Sequence, residues 1–506
     1  MKCLHAGSEV AGFAKTGGLA DVVGSLPAAL ANRGIDCAVV MPLYRACRSA
    51  SVPPTPTEHR FRLPIGERMF EGRLWRSTLP DTDVPIYFIE QPDFFDRDDA
   101  KQGRGIYQFT TSAGQRQDYD DNSARYGFFA RAVLEMIRLT NFWPDILHLH
   151  DWQTGLTPVF LREVYQQHGK PALRGSYAAI RTAFTIHNLA YQGAFPPDDL
   201  PALGLPWNLF TYDKLEFYGS LNYLKSGLVF ADLLTTVSPT YAKEIQTPEH
   251  GCGLQGVLKL RATHLHGIVN GIDGNIWNPA TDPALTGNYD VNTVGQGKPK
   301  CKAALQALFK LEVSPRTPLL GMVSRLASQK GFDLVEQVIP DYLRRGVQLA
   351  LLGDGDKGYR DMLLRLREQF PTQVGLHLDY SEAIAHQIEA GADIFLMPSR
   401  YEPCGLNQLY SLKYGTIPVV HTTGGLADTV IDATSENIAM CRATGFAFDT
   451  YKTAAFDEAL RRAVQTYRDS PLLWKQIQET GMKQDWSWSR SAGEYERLYR
   501  QLLQEL

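Results

Sequence analysis

The chain has 506 residues, 44% hydrophobic and 21% charged, proportions that exclude a disordered or fibrous protein. Its 51 Lys and Arg against 55 Asp and Glu leave a net charge of -4, the wrong balance for a general nucleic-acid binder. Seven scattered cysteines, never spaced as CxxC, point to a reducing compartment and away from a zinc ribbon or a disulfide scaffold.

At ~150 residues per domain, the length predicts two large domains or three smaller ones. No apolar run reaches the ~18 residues of a membrane span. The opening MKCLHAGSEV carries no signal-peptide core, so a soluble, unexported protein is expected.

The first element is a strand at KCLHAGSE, followed by a Gly-Gly turn and the helical GLADVVGSLPAALANRG. CAVVMP, VPIYFIE, ILHLHDW, AAIRTAFTIHN and ADLLTTVSP continue as short apolar strands. HGIVNGID, PLLGMVSR, VQLALLGDG, VGLHLDY, ADIFLMPSR and TIPVVHT then repeat the pattern. Apolar runs of this length, ending in Gly, Asn, Asp or Ser with helices between them, predict parallel strands in doubly wound α/β sheets.

The polar and aromatic GRGIYQFTTSAGQRQDYDDN suits a surface loop over a site. The Gly-, Asn-, Asp- and Pro-rich NGIDGNIWNPATDPALTGNYDVNTVGQGKPK is the expected linker, dividing the chain near residue 275. WSWSRSAGEYERLYRQLLQEL carries apolar residues at helical spacing. TGGLADV (Thr16 to Val22) recurs as TGGLADTV (Thr423 to Val430). The echo is either chance or a device used twice; in both cases each copy should start a helix.

Lys15 precedes Gly17 and Gly18 in a strand-to-helix turn, where backbone N–H groups and the helix dipole attract a phosphate. The turn matches neither GxGxxG nor a P-loop, and an exposed lysine beside a tight turn is the plain alternative. Arg325 and Lys330 follow an apolar strand in LLGMVSRLASQKG, and together suit a diphosphate at the carboxyl end of a sheet. Glu402 follows ADIFLMPS in PSRYEPCGLNQLY. It can stabilise positive charge on a sugar ring, although alone the segment favours a first-turn helix acid.

His148, His150, Asp151 and His187 could ligate a metal, but no HExxH or second ligand pair accompanies them. Asp151, Trp152 and His187 suit a sugar pocket better, with His148 packed in the core. DTD (Asp81 to Asp83) and DGD (Asp354 to Asp356) read as turns rather than metal acids.

Together, KTGGLADVVGSLPAAL, HLHDWQTGL, FTIHNLAYQG, VSPTYAKEI, VNGIDGNIWNP, VSRLASQKGFDL, PSRYEPCGLNQLYSLKYGTIPVV and TGGLADTV resemble the bacterial glycogen synthases and the starch synthases of glycosyltransferase family 5. The resemblance spans nearly the whole chain. It implies an α/β GT-B fold, with two doubly wound Rossmann-like domains facing a deep cleft and a C-terminal helix returning to the N-terminal domain. The domains expected are 1–275, joined by helix 486–506, and 276–485.

The resemblance also implies retaining transfer of glucose from ADP-glucose to the non-reducing end of an α-1,4-glucan, be it maltooligosaccharide, glycogen or starch, with no metal or other cofactor. Lys15, Arg325, Lys330, Glu402, His187 and Asp151 take the catalytic positions. Gly17, Gly18, Asp21, Tyr380, Gly405 and Leu406 take donor-binding ones, with Tyr380 by the adenine. Position 410 is Tyr, whereas a related GT-B family has a second Glu there. No nucleic-acid or membrane partner is expected, and the compartment implied is a bacterial cytoplasm or a plastid stroma, with or without glucan granules. A GT-B transferase using UDP-glucose or another acceptor, and an inactive glucan-binding scaffold, remain the alternatives.

Overall fold

The computed structural model describes residues 1–97, 105–111 and 116–504; the loop expected at 103–122 lies partly outside them. The chain forms two units. The first contains Met1–Val237, Ala242–Ile268 and Trp488–Leu506; the second contains Ser238–Tyr241 and Val269–Ser487. The change of unit therefore precedes the expected boundary at 275, and the return comes at Trp488 rather than at 486. The cause is packing. Trp277, within the presumed linker, stacks between His386 at 3.8 Å and Tyr410 at 3.7 Å, and Ile272 N donates to Trp486 O at 2.8 Å.

In the first unit a nine-stranded sheet runs Leu265–Gly267, Leu233–Thr236, Arg181–Ile186, Ile146–His150, Lys2–Ala6, Asp36–Pro42, Pro85–Glu90, Arg68–Thr78 and Thr55–Ile65. The first seven in this order are parallel, and a hairpin closes the other edge antiparallel. The central strand Lys2–Ala6 is buried at four of its five positions and Ile146–His150 at all five, as strands covered on both faces must be. The helix Trp488–Gln504 buries Trp488, Ser491, Ala492, Tyr495, Leu498, Tyr499 and Leu502. This three-to-four spacing faces the helix Gly18–Ala31, and Arg33 Nε donates to Glu496 at 2.7 Å.

The second unit holds six parallel strands in the order Val374–His377, Gln348–Leu352, Leu319–Val323, Ile394–Met397, Ile417–His421 and Phe446–Phe448. Numbered along the unit this is 3-2-1-4-5-6, the doubly wound order whose ligands bind where the strand order reverses. The helix Phe332–Arg344 buries Phe332, Val335, Val338, Ile339 and Leu343 in the core beneath the sheet. No helix among the described residues is long and apolar enough to cross a membrane.

Candidate functional site

The chain reverses strand order between Leu319–Val323 and Ile394–Met397. Arg325 and Lys330 leave the first of these strands and Glu402 leaves the second, so the topology brings together residues that the sequence separates. Lys330 Nζ donates to Glu402 Oε2 at 2.6 Å, with only 17% and 8% of the two side chains exposed. Ser399 Oγ donates to the same carboxylate oxygen at 3.0 Å. The following helix starts at Asn407, five positions on, so Glu402 is no first-turn acid. Asn407 Nδ2 donates to Val323 O at 2.6 Å, tying that helix to the end of the central strand.

Gly405, at φ 72°, makes the turn, and Leu406 caps the helix. The second TGGLAD copy supports this loop. Gly425 N donates to the carbonyls of Glu402 and Pro403, each at 3.1 Å. A Cβ on Gly424, at φ 45°, would lie 2.0 Å from Glu402 O, so the backbone approach there requires glycine. Tyr380 follows the edge strand Val374–His377 and is 61% exposed.

The first unit reverses strand order between Lys2–Ala6 and Ile146–His150. Lys15 Nζ donates to Asp21 at 2.6 Å, across the start of the helix Gly18–Ala31; both TGGLAD copies thus begin helices. The backbone amides expected to face a ligand are partly occupied. Buried Glu9 accepts from Thr16 N, from Thr16 Oγ1 at 2.7 Å and from Gly17 N at 3.3 Å. Tyr107 OH donates to the same carboxylate at 2.7 Å. Burial pushes the Glu9 carboxyl up, against these hydrogen bonds. A Cβ on Gly17, whose backbone is extended, would meet nothing within 4 Å among the described residues.

Asp151 directly follows the strand Ile146–His150 at φ 57°, a conformation found at strained functional positions. Its Oδ1 accepts from His187 N at 2.8 Å, and burial pushes its carboxyl up to about 7. His148, as expected, is packed in the core. Its Nε2 meets Thr185 Oγ1 and its Nδ1 meets Tyr499 OH, both at 2.6 Å. His150 is a buried strand residue joined to His187 at 3.0 Å.

The starch synthase catalytic domain model matches residues 2–260, and the glycosyl transferases group 1 model matches 306–479. The chain belongs to the glycogen/starch synthase family. It is 47% identical to the glycogen synthase of Syntrophotalea carbinolica, covering 100% of this chain and 99% of that one. It is 48% identical to the glycogen synthase of Anaeromyxobacter dehalogenans, covering 99% and 100%. The catalytic domain of starch synthase IV from Arabidopsis thaliana, bound to ADP and acarbose, is 34% identical and superposes with a TM-score of 0.88 over 99% of each chain. The sucrose-phosphate synthase of Thermosynechococcus elongatus, at 15% identity and TM-score 0.58 over both full chains, shares the fold. The fold is GT-B, with two Rossmann-like units.

Within this glycogen/starch synthase family member, Tyr410 is a packing residue, its ring lying 9° from the plane of Trp277. DGD is a turn and cap, since Asp356 accepts from Gly358 N and Tyr359 N. Glu9, Tyr107, His5 and Tyr499 escaped the sequence reading. His5 alone left a signal there, a polar residue in an apolar central strand.

Proposed function

We propose that this chain moves glucose from ADP-glucose to the non-reducing-end 4-hydroxyl of an α-1,4-glucan, with retention at the anomeric carbon. One observation carries the reading: Arg325, Lys330 and Glu402 converge where the second sheet reverses its order, the place where doubly wound folds bind nucleotides. The Arabidopsis relative, which holds ADP and acarbose, supports the adenine donor and the glucan acceptor.

Breaking the C1–O bond drives negative charge onto the departing ADP and leaves the ring oxocarbenium-like. Arg325 offers a planar fork to the diphosphate. The Lys330 ammonium has three N–H donors, so it can serve a phosphate oxygen while keeping Glu402. Both cations bind the charge of the transition state better than that of the ground state. Glu402 faces the positive ring, and Asp151 and His187 contact the transferred sugar. The acceptor hydroxyl passes its proton to the leaving phosphate on the same face. Tyr380 supplies a ring for the adenine.

Lys15, beside Asp21, adds charge for the same donor, and the space over Gly17, open among the described residues, lets a ligand approach a backbone whose Gly17 N–H is shared with Glu9. The cations perform the charge neutralisation, so no metal is required. The same reading places the enzyme with its glucan in a bacterial cytoplasm or a plastid stroma.

Glucose incorporation into glycogen from ADP-glucose and from UDP-glucose, each with and without a chelator, tests the proposal. Faster ADP-glucose turnover, indifferent to chelation, is expected. Preference for UDP-glucose would replace the donor, and glucan binding without nucleotide release would replace the enzyme with a scaffold.

A further inference from the structure

Four titratable side chains form one hydrogen-bonded line through the first sheet. Cys3 Sγ meets His5 Nε2 at 3.3 Å, His5 Nδ1 meets His150 Nε2 at 3.3 Å, and His150 Nδ1 meets His187 Nε2 at 3.0 Å. Strand geometry creates it. Cys3 and His5 share a face of the central strand, and His148 and His150 share the facing positions of its neighbour, with His5 opposite His148 in register. Cys3, His5 and His150 are fully buried, whereas His187 is half-buried.

The trio His5, His148 and His150 is close enough to hold a metal ion. Every ring nitrogen of the three already has a hydrogen-bond partner, however, His148 using Thr185 and Tyr499. A cation would have to break at least two of these bonds, the His5–His150 bond and one at His148, so the cluster reads as a hydrogen-bond line.

Burial lowers the proton affinity of all four imidazoles, which leaves each ring neutral with a single N–H. The line then has only two self-consistent arrangements. In one, the thiol donates to His5, His5 donates from Nδ1 to His150, and His150 donates from Nδ1 to His187. In the other, every proton is reversed and the last N–H ends on sulfur. A thiol is weak both as donor and as acceptor, and this one also meets Tyr499; an imidazole nitrogen is nonetheless the better acceptor of the Cys3–His5 pair, and burial pushes the Cys3 thiol well up, so a thiolate acceptor is not available. The first arrangement is therefore the stable one. It occupies His187 Nε2 as an acceptor and leaves the proton of His187 on Nδ1.

We propose that Cys3, His5 and His150 are positioning residues that lock His187 as the Nδ1–H tautomer, so that it meets a hydroxyl of the transferred sugar as a hydrogen-bond donor. The role given to His187 rests on the proposed function; the tautomer does not. His187 N is itself anchored on Asp151, so ring position and proton position are set by separate contacts. In free neutral histidine the proton prefers Nε2, which makes the predicted state diagnostic.

The test is a long-range 15N–1H correlation spectrum of the full chain labelled in its histidines, recorded without substrate. His5, His150 and His187 should show the Nδ1–H pattern, the His187 signal being assigned by its loss in His187→Asn. Cys3→Ser retains a donor and should keep both the pattern and kcat. Cys3→Ala should move His187 towards Nε2–H and lower kcat about 10- to 100-fold, the cost that removing the partner behind a metal-bound histidine carries, with KM unchanged.

An Nε2–H His187 in the unaltered protein overturns the proposal, as does a His187 tautomer unmoved by Cys3→Ala. If the variants fold poorly, the spectrum of the unaltered chain still decides. Failure to transfer glucose from any nucleotide sugar would sink the proposed function while leaving the tautomer result standing, so the two failures are separable.

Discussion

Replacing Lys330 by Met shortens the side chain by one atom and removes its charge. At 2.6 Å and an effective dielectric of about 20, the gross attraction to Glu402 is about 6 kcal/mol. Desolvation of both groups offsets much of it, and orphaning one partner of a buried pair costs ~3–5 kcal/mol. Glu402 retains Ser399 Oγ, so the lower end, about 3 kcal/mol, is expected for K330M in urea unfolding. Loss of one cation from the diphosphate should separately cost about 3 kcal/mol of barrier, near a hundredfold in kcat.

The double variant K330M/E402Q separates the two effects. Neutralising Glu402 removes the orphaned charge, so stability should return to within about 1 kcal/mol of the parent while turnover stays low. A double variant as unstable as K330M would refute the reasoning, because the loss would then not come from an orphaned Glu402 charge. Unchanged stability in K330M would refute the buried pair itself.

Asp151 gives a pH signature. Its carboxyl holds a proton up to about 7, against an ordinary 3.8, so the folded state binds that proton more tightly than the unfolded chain. Its contribution to stability should be greatest below about pH 4, fall as pH rises to about 7, and stay level above. Urea midpoints measured at about pH 5 and about pH 8 should therefore differ less in D151N than in the parent. Gly424→Ala forces a Cβ against Glu402 O and should lower kcat by at least tenfold through displacement of the Glu402 loop, of the order seen for small misplacements. Trp277→Ala removes a ring stacked on both faces and should destabilise the second unit by about 3 kcal/mol in calorimetry.

Much of the architecture was legible because parallel strands buried on both faces leave uninterrupted apolar runs, as at LLGMV and IFLM. The residues at strand ends were legible for a related reason: charged groups directly after such runs are conspicuous. Their pairing was not. Lys330 and Glu402 lie 72 positions apart, and only the crossover from one central strand to its neighbour brings them together. Glu9 was hidden because a carboxylate before a Gly-Gly turn resembles any loop acid until the chain folds back through the Val10–Ala14 bridge. The linker misled for the opposite reason. Its composition is that of a tether, but Trp277 fixes it by aromatic stacking, which no local propensity records.

The helix Trp488–Gln504 reaches back to a fold whose other parts were synthesised much earlier, and Tyr499 supplies the hydroxyl that satisfies His148. A nascent chain must therefore carry an incomplete first unit through translation of the whole second one, its histidine-bearing sheet face still lacking that cover. Emergence of Trp488–Gln504, rather than of the first 268 residues, is the event that lets this half finish folding, and chaperone dependence should concentrate in that interval.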